Sequence, residues 1–226
     1  MKKAIVILLV LLTLGTAAFA GGFTLRGGFA YDNVTLKASD NDGTTWKTNS
    51  FGAEFGITYN FSDKFQIYAD TGFGFFNKYK INDTERSTEG VDKAAFITST
   101  DHAGAAFNIN VNKNIDIQLG AGFAFEYARA VTTKKVSEKV STSGEIGIYG
   151  IGVGLYANVD FKVSEKFALS LTAHPDFMFV SGYTASTSTT EVLSDTMVHE
   201  LTDSMVTVGG AFSFKFNASV GAKFMF

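Results

Sequence analysis

The chain has 226 residues, a formal net charge of -3, no cysteine, one proline, and 23 each of glycine and phenylalanine. Without cysteine there is no disulfide framework, no thiolate metal site and no lipid-modified N-terminal cysteine. Residues 1–20, MKKAIVILLVLLTLGTAAFA, carry two lysines, an apolar run from Ala4 to Leu14 and an Ala18-Phe19-Ala20 end. That is the pattern of a cleaved secretory signal peptide, because a membrane-spanning helix needs about 20 apolar residues. The chain therefore reads as a signal peptide, 1–20, followed by one domain, 21–226. No second apolar run has the length of a transmembrane helix, so the abundant phenylalanine must be hidden in another pattern.

That pattern has period two, the signature of a half-buried strand. The first strand runs from Phe23 to about Lys37, with Phe23, Leu25, Phe29 and Tyr31 on the apolar face. The second spans about Phe51 to Phe61 with Phe55, Ile57 and Tyr59, and the third Phe65 to about Tyr79 with Ile67, Ala69, Phe73 and Phe75. The fourth, near His102 to Val111, uses Ala105, Phe107 and Ile109; the fifth, Ile115 to about Val131, uses Ile117, Leu119, Ala121, Phe123, Phe125 and Tyr127. The sixth covers about Ile146 to Phe161 with Ile151, Val153, Leu155 and Val159, and the seventh Phe167 to about Tyr183 with Leu169, Leu171, Ala173, Phe177 and Phe179. Pro175 lies inside that seventh strand, where its missing N–H predicts a small bulge or weak pairing. The eighth runs from about Met205 to Phe226, with Phe212, Phe214, Phe216, Ala218, Val220, Ala222, Phe224 and Phe226 on one face.

An even strand count suits a closed up-and-down barrel. Short connections at Ser62–Lys64, Asn112–Asn114 and about Lys162–Lys166 alternate with long ones at about Lys37–Ser50, Lys80–Asp101, Thr132–Gly144 and Thr184–Ser204. The expected fold is all-β: a closed, antiparallel, eight-stranded transmembrane β-barrel with short periplasmic turns and long extracellular loops. The Thr/Ser-rich stretches NDTERSTEG and TASTSTTEVLSDT within the long connections read as solvated and mobile. Trp46 falls in the first long loop, as an interface anchor or a contact residue.

The other face of each strand decides which side meets lipid. It is rich in small residues, among them Gly28, Gly52, Gly56, Gly72, Gly74, Gly120, Gly122, Ala124 and Gly152, as a narrow lumen requires. Aromatics gather at both strand ends. Phe61, Phe65, Phe161, Phe167, Phe224 and Phe226 lie beside the short turns, and Tyr31, Phe75, Tyr79, Tyr127, Phe179 and Tyr183 toward the long loops. Two such groups match interfacial girdles. The apolar face is thus assigned to lipid and the small-residue face to the lumen. Ionisable residues on the lumen face form a candidate polar network: Arg26, Asp32, Glu54, Asp70, Asp116, Glu126, His174, Asp176, Lys215 and Lys223. Six acids stand there against three permanent bases, so any leak is expected to favour cations. Glu54, Asp70, His174 and Asp176 are expected at similar heights, with Arg26 or Lys215 as counter-charge. His174 and Asp176 share a face but lack a partner motif, so no catalytic site is assigned. His102 and His199, placed at a strand end and in a loop, leave the histidines scattered, and no metal or cofactor is expected.

In its layout the chain resembles the small eight-stranded outer-membrane barrels, such as the OmpA transmembrane domain, OmpX and OmpW. The most specific point is the terminal strand ending in Phe226 with aromatics at alternate positions. The opening FTLRGGFAYDNV is also similar to OmpW. The resemblance implies that Phe224 and Phe226 belong to a terminal signal read by the barrel-assembly machinery, after escort by periplasmic chaperones. It implies a home in the outer membrane of a diderm bacterium, among outer-membrane lipid and lipopolysaccharide or its equivalent. Two function classes follow. One is a non-enzymatic structural or surface-interaction barrel with a narrow, polar, plugged lumen. The other is an OmpW-like narrow channel for small or hydrophobic solutes. A monomer is expected, with room for an extracellular ligand at the loops and no nucleic-acid partner.

Overall fold

The computed structural model describes residues 22–37, 45–76, 78–87, 91–137, 140–194, 197–209 and 213–226. The signal segment and Phe212 lie outside these residues. The strands are β1 (Phe23–Lys37), β2 (Thr45–Asn60), β3 (Phe65–Phe75), β4 (Lys78–Ile81), β5 (Thr84–Ser87), β6 (Lys93–Asn112), β7 (Ile115–Lys135), β8 (Val140–Ser164), β9 (Phe167–Ser194), β10 (Met197–Gly209) and β11 (Ser213–Met225). Eight of them close a ring in the order β1, β2, β3, β6, β7, β8, β9, β11, and back to β1. Every pairing is antiparallel, and the closing ladder runs from Thr24↔Met225 to Val34↔Lys215.

The alternation sets the register. Phe29, Phe51, Phe75 and Val220 are exposed to 81%, 67%, 69% and 58%, while Glu54, Glu126 and Lys215 on the opposite face are at 1% or below. Such an inverted distribution is stable only with lipid outside, and the closed ring leaves no unpaired backbone edge in that lipid. The three short turns share one device. Ser62 Oγ accepts from the Lys64 and Phe65 amides at 3.3 and 3.1 Å, Asn112 Oδ1 from the Asn114 amide at 2.8 Å, and Ser164 Oγ from the Lys166 amide at 3.3 Å. These local bonds favour turning over extension. Aromatic contacts gird this end: Phe61 stacks on Phe65, Phe65 meets Phe107, and Phe167 meets Phe224.

The other end departs from the expectation. The long connections are mostly strand, not mobile loop. Strand β2 begins at Thr45, β6 at Lys93 and β8 at Val140, and TASTSTTEV continues β9. Threonine is a good strand former, and a growing antiparallel ladder supplies partners, as in the Thr133–Ser143 hydroxyl pair at 2.9 Å. At ~3.3 Å per residue β8 extends roughly 80 Å, so even when tilted it rises far past an apolar band of about 25 Å. Residues 82–87 of NDTERSTEG belong to a hairpin, β4–β5, paired to β2. Its turn is Asn82–Asp83, with φ of 49° and 65°, the left-handed pair that a two-residue hairpin requires.

Two register shifts turn aromatic residues inward. Phe51 pairs with Phe75, but Thr48 pairs with Tyr79, so one residue is gained between Phe75 and Lys78. Likewise Ile151 pairs with Val180 and Gly152 with Met178, leaving Phe179 as the extra residue. An extra residue flips every side chain beyond it to the other face. Tyr79 and Tyr183 therefore do not belong to the outer girdle: Tyr79 is buried in the lumen, and Tyr183 packs against the same cluster. At Pro175 the ladder to β8 lapses between Gly154↔Asp176 and Ala157↔Ala173 without a change of register.

Candidate functional site: the barrel lumen

Inward side chains form three successive layers along the lumen. The layer nearest the short turns is built on Asp160. Its Oδ2 accepts from Lys223 Nζ at 2.6 Å and Gln118 Nε2 at 3.0 Å, and its Oδ1 from Ser170 Oγ at 2.5 Å and Asn158 Nδ2 at 2.8 Å. Asp116 stands at the rim and pairs with Lys162 at 2.5 Å. In this layer each acid has its own base. Above it, Tyr68 and Tyr156 stack at 4.2 Å across the lumen.

The middle layer is crowded with charge. Arg26 Nη2 lies 2.6 Å from Glu54 Oε1 and 2.7 Å from Asp70 Oδ1. Its Nη1 donates to Thr172 Oγ1 and to Asn158 Oδ1. Glu54 Oε1 also accepts from Ser219 at 2.8 Å. Lys215 Nζ lies 2.5 Å from Glu126, 3.6 Å from Asp176 and 3.7 Å from Asp32. Asp32 further accepts from Asn217 at 2.5 Å. His102 Nε2 and Asp176 Oδ2 hydrogen-bond at 2.9 Å, His174 Nε2 lies 3.3 Å from Asp70 Oδ2, and the two imidazoles stack at 3.9 Å and 7°. Five acids (Asp32, Glu54, Asp70, Glu126, Asp176) thus face two permanent bases (Arg26, Lys215), a formal excess of three acids in a buried layer.

The third layer, toward the long-strand end, is apolar. Val34, Leu36, Trp46, Phe76, Tyr79, Phe96, Ala128, Ala130, Ile148 and Met178 form one buried cluster. Trp46 is 1% exposed and stacks on Tyr79 at 4.3 Å, with Phe76 edge-on to both rings. Trp46 is therefore neither an interface anchor nor a loop contact. Strand β2 begins at Thr45, which puts residue 46 on the inward face with Thr48 and Ser50.

Nine of the ten sequence-assigned lumen residues meet inside the barrel, whereas Asp116 sits half-buried at the rim. Sequence reasoning missed His102, which is mid-strand in β6 and not at its end. The signal was present: with Ala105, Phe107 and Ile109 outward, residue 102 falls on the inward parity. It was masked because Ser99 and Asp101, on the outward side just beyond, are polar. Asp160 was missed too, although it follows outward Val159 in the same way. The histidines are not scattered, since two of the three in the sequence are stacked.

On the outer wall, beside the loop-side girdle, a cleft of about 740 Å³ is lined by Asn33, Asn49, Phe51, Phe75 and the lysines Lys47, Lys78 and Lys80. Tyr31 and Phe51 are in ring contact there at 5.1 Å.

No family model matches the chain, and no curated protein matches it in sequence. Solved structures do match its fold. A major outer membrane protein from Thermus thermophilus superposes with a TM-score of 0.57 at 9% identity, covering 91% of this chain and 99% of that one. The outer membrane protein OprG from Pseudomonas aeruginosa superposes with a TM-score of 0.54 at 14% identity, covering 91% and 96%. The fold is that of small outer-membrane β-barrel proteins.

Proposed function

We propose that this chain is an integral outer-membrane barrel whose lumen is closed to diffusion, acting as a structural or surface-interaction protein. The observation that carries this reading is the filling of the lumen. Salt-bridged layers occupy its lower and middle parts, and the Trp46–Tyr79–Phe76–Phe96 cluster seals the end beyond them. Eight strands enclose a space that side chains just fill. The tall wall of β7 to β9 then offers the Thr- and Ser-rich surface on which contact with an extracellular ligand would fall. Single-channel recording on the refolded barrel in a planar bilayer tests this. The expected result is no stable conductance, and a large, weakly selective conductance would overturn it. The reading includes no catalytic step, because the His102–Asp176 and His174–Asp70 pairs are buried under the apolar layer.

A second reading, a narrow path for hydrophobic solutes, is favoured by one observation: the loop-side lumen is apolar, not polar throughout. It requires the aromatic cluster to part. Uptake of a hydrophobic dye into vesicles carrying the barrel, enhanced by Trp46→Ala, would support it over the closed lumen.

For biogenesis, Phe224 and Phe226 are exposed at the turn-side end of the last strand, as a terminal signal for the assembly machinery would be, with periplasmic chaperones acting before it. Phe226→Asp is expected to lower the outer-membrane level of folded protein, read by heat-modifiable migration. The amphipathic cleft by Phe51 and Lys78 suits contact with lipid or lipopolysaccharide.

A further inference from the structure

The middle layer holds more acids than permanent bases, and three of its residues bring donor atoms close together. Glu54, Asp70 and His174 come from three strands, β2, β3 and β9, yet their donor atoms all lie within 4.8 Å of one another. Arg26 engages only one oxygen of each carboxylate, Glu54 Oε1 and Asp70 Oδ1. Glu54 Oε2 and His174 Nδ1 have no hydrogen-bond partner, and Asp70 Oδ2 and His174 Nε2 have only each other, at 3.3 Å. All three residues are buried, at 1%, 4% and 0% exposure. Polar atoms this deep are normally satisfied, so each one left over calls for an explanation.

We propose that Glu54 Oε2, Asp70 Oδ2 and His174 Nε2 form a binding site for one divalent transition-metal ion of the zinc class. The chemistry of the donors selects the ion. One imidazole and two carboxylate oxygens suit zinc and its neighbours, whereas calcium takes six to eight oxygens and magnesium a near-ideal octahedron. A tetrahedral ion with bonds of about 2 Å places its ligands roughly 3.3 Å apart, and His174 Nε2 already lies 3.3 Å from Asp70 Oδ2. Charge agrees as well. A divalent ion would cut the layer's formal excess of three acids over permanent bases to one. The surroundings hold the ligands in place: Arg26 fixes the two carboxylates, and His102, anchored by Asp176 at 2.9 Å, stacks flat on His174. Such outer contacts orient metal ligands and tune affinity.

The test uses the whole barrel, refolded in detergent with Co²⁺ and then desalted, read by visible absorption and by metal content. Folding is checked in every variant by heat-modifiable migration. The site predicts one retained ion per chain, an intense visible band of a low-coordinate cobalt centre, and displacement of that band by Zn²⁺. His174→Gln is expected to weaken retention by more than about 100-fold, beyond the usual cost of outer-shell changes. Asp70→Asn serves as the second ligand variant should His174→Gln misfold. His199→Gln, altering the remaining histidine of the sequence, is expected to leave retention unchanged. No retained ion in the folded wild-type barrel overturns the proposal, as does retention that survives His174→Gln or is lost in His199→Gln. Conductance is measured separately, so the closed-lumen reading and the metal site stand or fall independently.

Discussion

The turn-side and middle layers of the lumen are made from the same residue types, yet they solve burial differently. Asp160 receives four donors, one of them Lys223, and the rim adds the matched pair Asp116–Lys162. The middle layer places Lys215 among three carboxylates and leaves Glu54 Oε2 and His174 Nδ1 unpaired. A balanced layer needs no further explanation than closing a narrow barrel, since buried charge must be paired. An unbalanced layer stores an electrostatic demand that a bound cation would meet. The contrast between the layers is one of acid–base balance, since the turn-side layer also leaves Asp116 Oδ1 unpaired.

The largest expected effect follows from Lys215. It is fully buried and is the nearest cation to Glu126, Asp176 and Asp32. Lys215→Met leaves these acids uncompensated, and removing one partner of a buried pair costs about 3–5 kcal/mol. Urea unfolding of the barrel in lipid vesicles reads that loss. The double variant Lys215→Met/Glu126→Gln is expected to lose less than the sum of the single changes, because the two residues are in contact. Simple additivity would mean that the 2.5 Å contact carries no coupling.

A smaller loss is expected in the balanced layer. Lys223→Met removes one charged donor from Asp160, but Gln118, Ser170 and Asn158 remain. The cost is that of one charge-assisted hydrogen bond, about 1.5–3 kcal/mol. If Lys223→Met proves as damaging as Lys215→Met in the same urea series, the distinction between the layers fails.

How much of this was readable beforehand differs between the layers. The inward parity of Arg26, Glu54, Asp70, His174, Asp176 and Lys215 followed from apolar neighbours at alternate positions, because lipid contact enforces that alternation strictly. The apolar layer was not readable. Tyr79 and Tyr183 reach the lumen through one-residue shifts near Phe76 and at Phe179, and nothing in the local pattern marks an insertion that inverts the face, while Trp46 and Phe96 keep the inward parity in segments that read as loops. Above the membrane the alternation also loses its cause, since water wets both faces of a strand there. Thr- and Ser-rich segments such as 184–190 consequently looked like loops although the ladder continues through them. Pairing partners were equally out of reach, because barrel shear, not sequence spacing, decides that Arg26 meets Glu54 and Asp70.

The smallest effect is expected where the same ion pairs lie outside the barrel, and it isolates burial as the cause of the contrast. Lys47 pairs with Asp83 at 2.8 Å and Lys78 with Glu85 at 2.9 Å, all on the solvent-exposed β4–β5 hairpin and its neighbour β2. The hydrogen bond from Lys47 holds the Asp83 carboxyl below its ordinary value, and Lys78 does the same for Glu85. A carboxyl lowered in the folded state contributes stability that is present above its unfolded pKa and is lost as pH falls through the folded value. The window is therefore acidic, below about pH 4. Water and salt screen such pairs, so Lys47→Gln is expected to leave the urea midpoint of the barrel unchanged. The change should appear only locally, as an Asp83 side-chain NMR titration moved back toward the ordinary carboxylate range. A midpoint shift from Lys47→Gln as large as that from Lys223→Met would show that burial is not what gives the lumen pairs their weight.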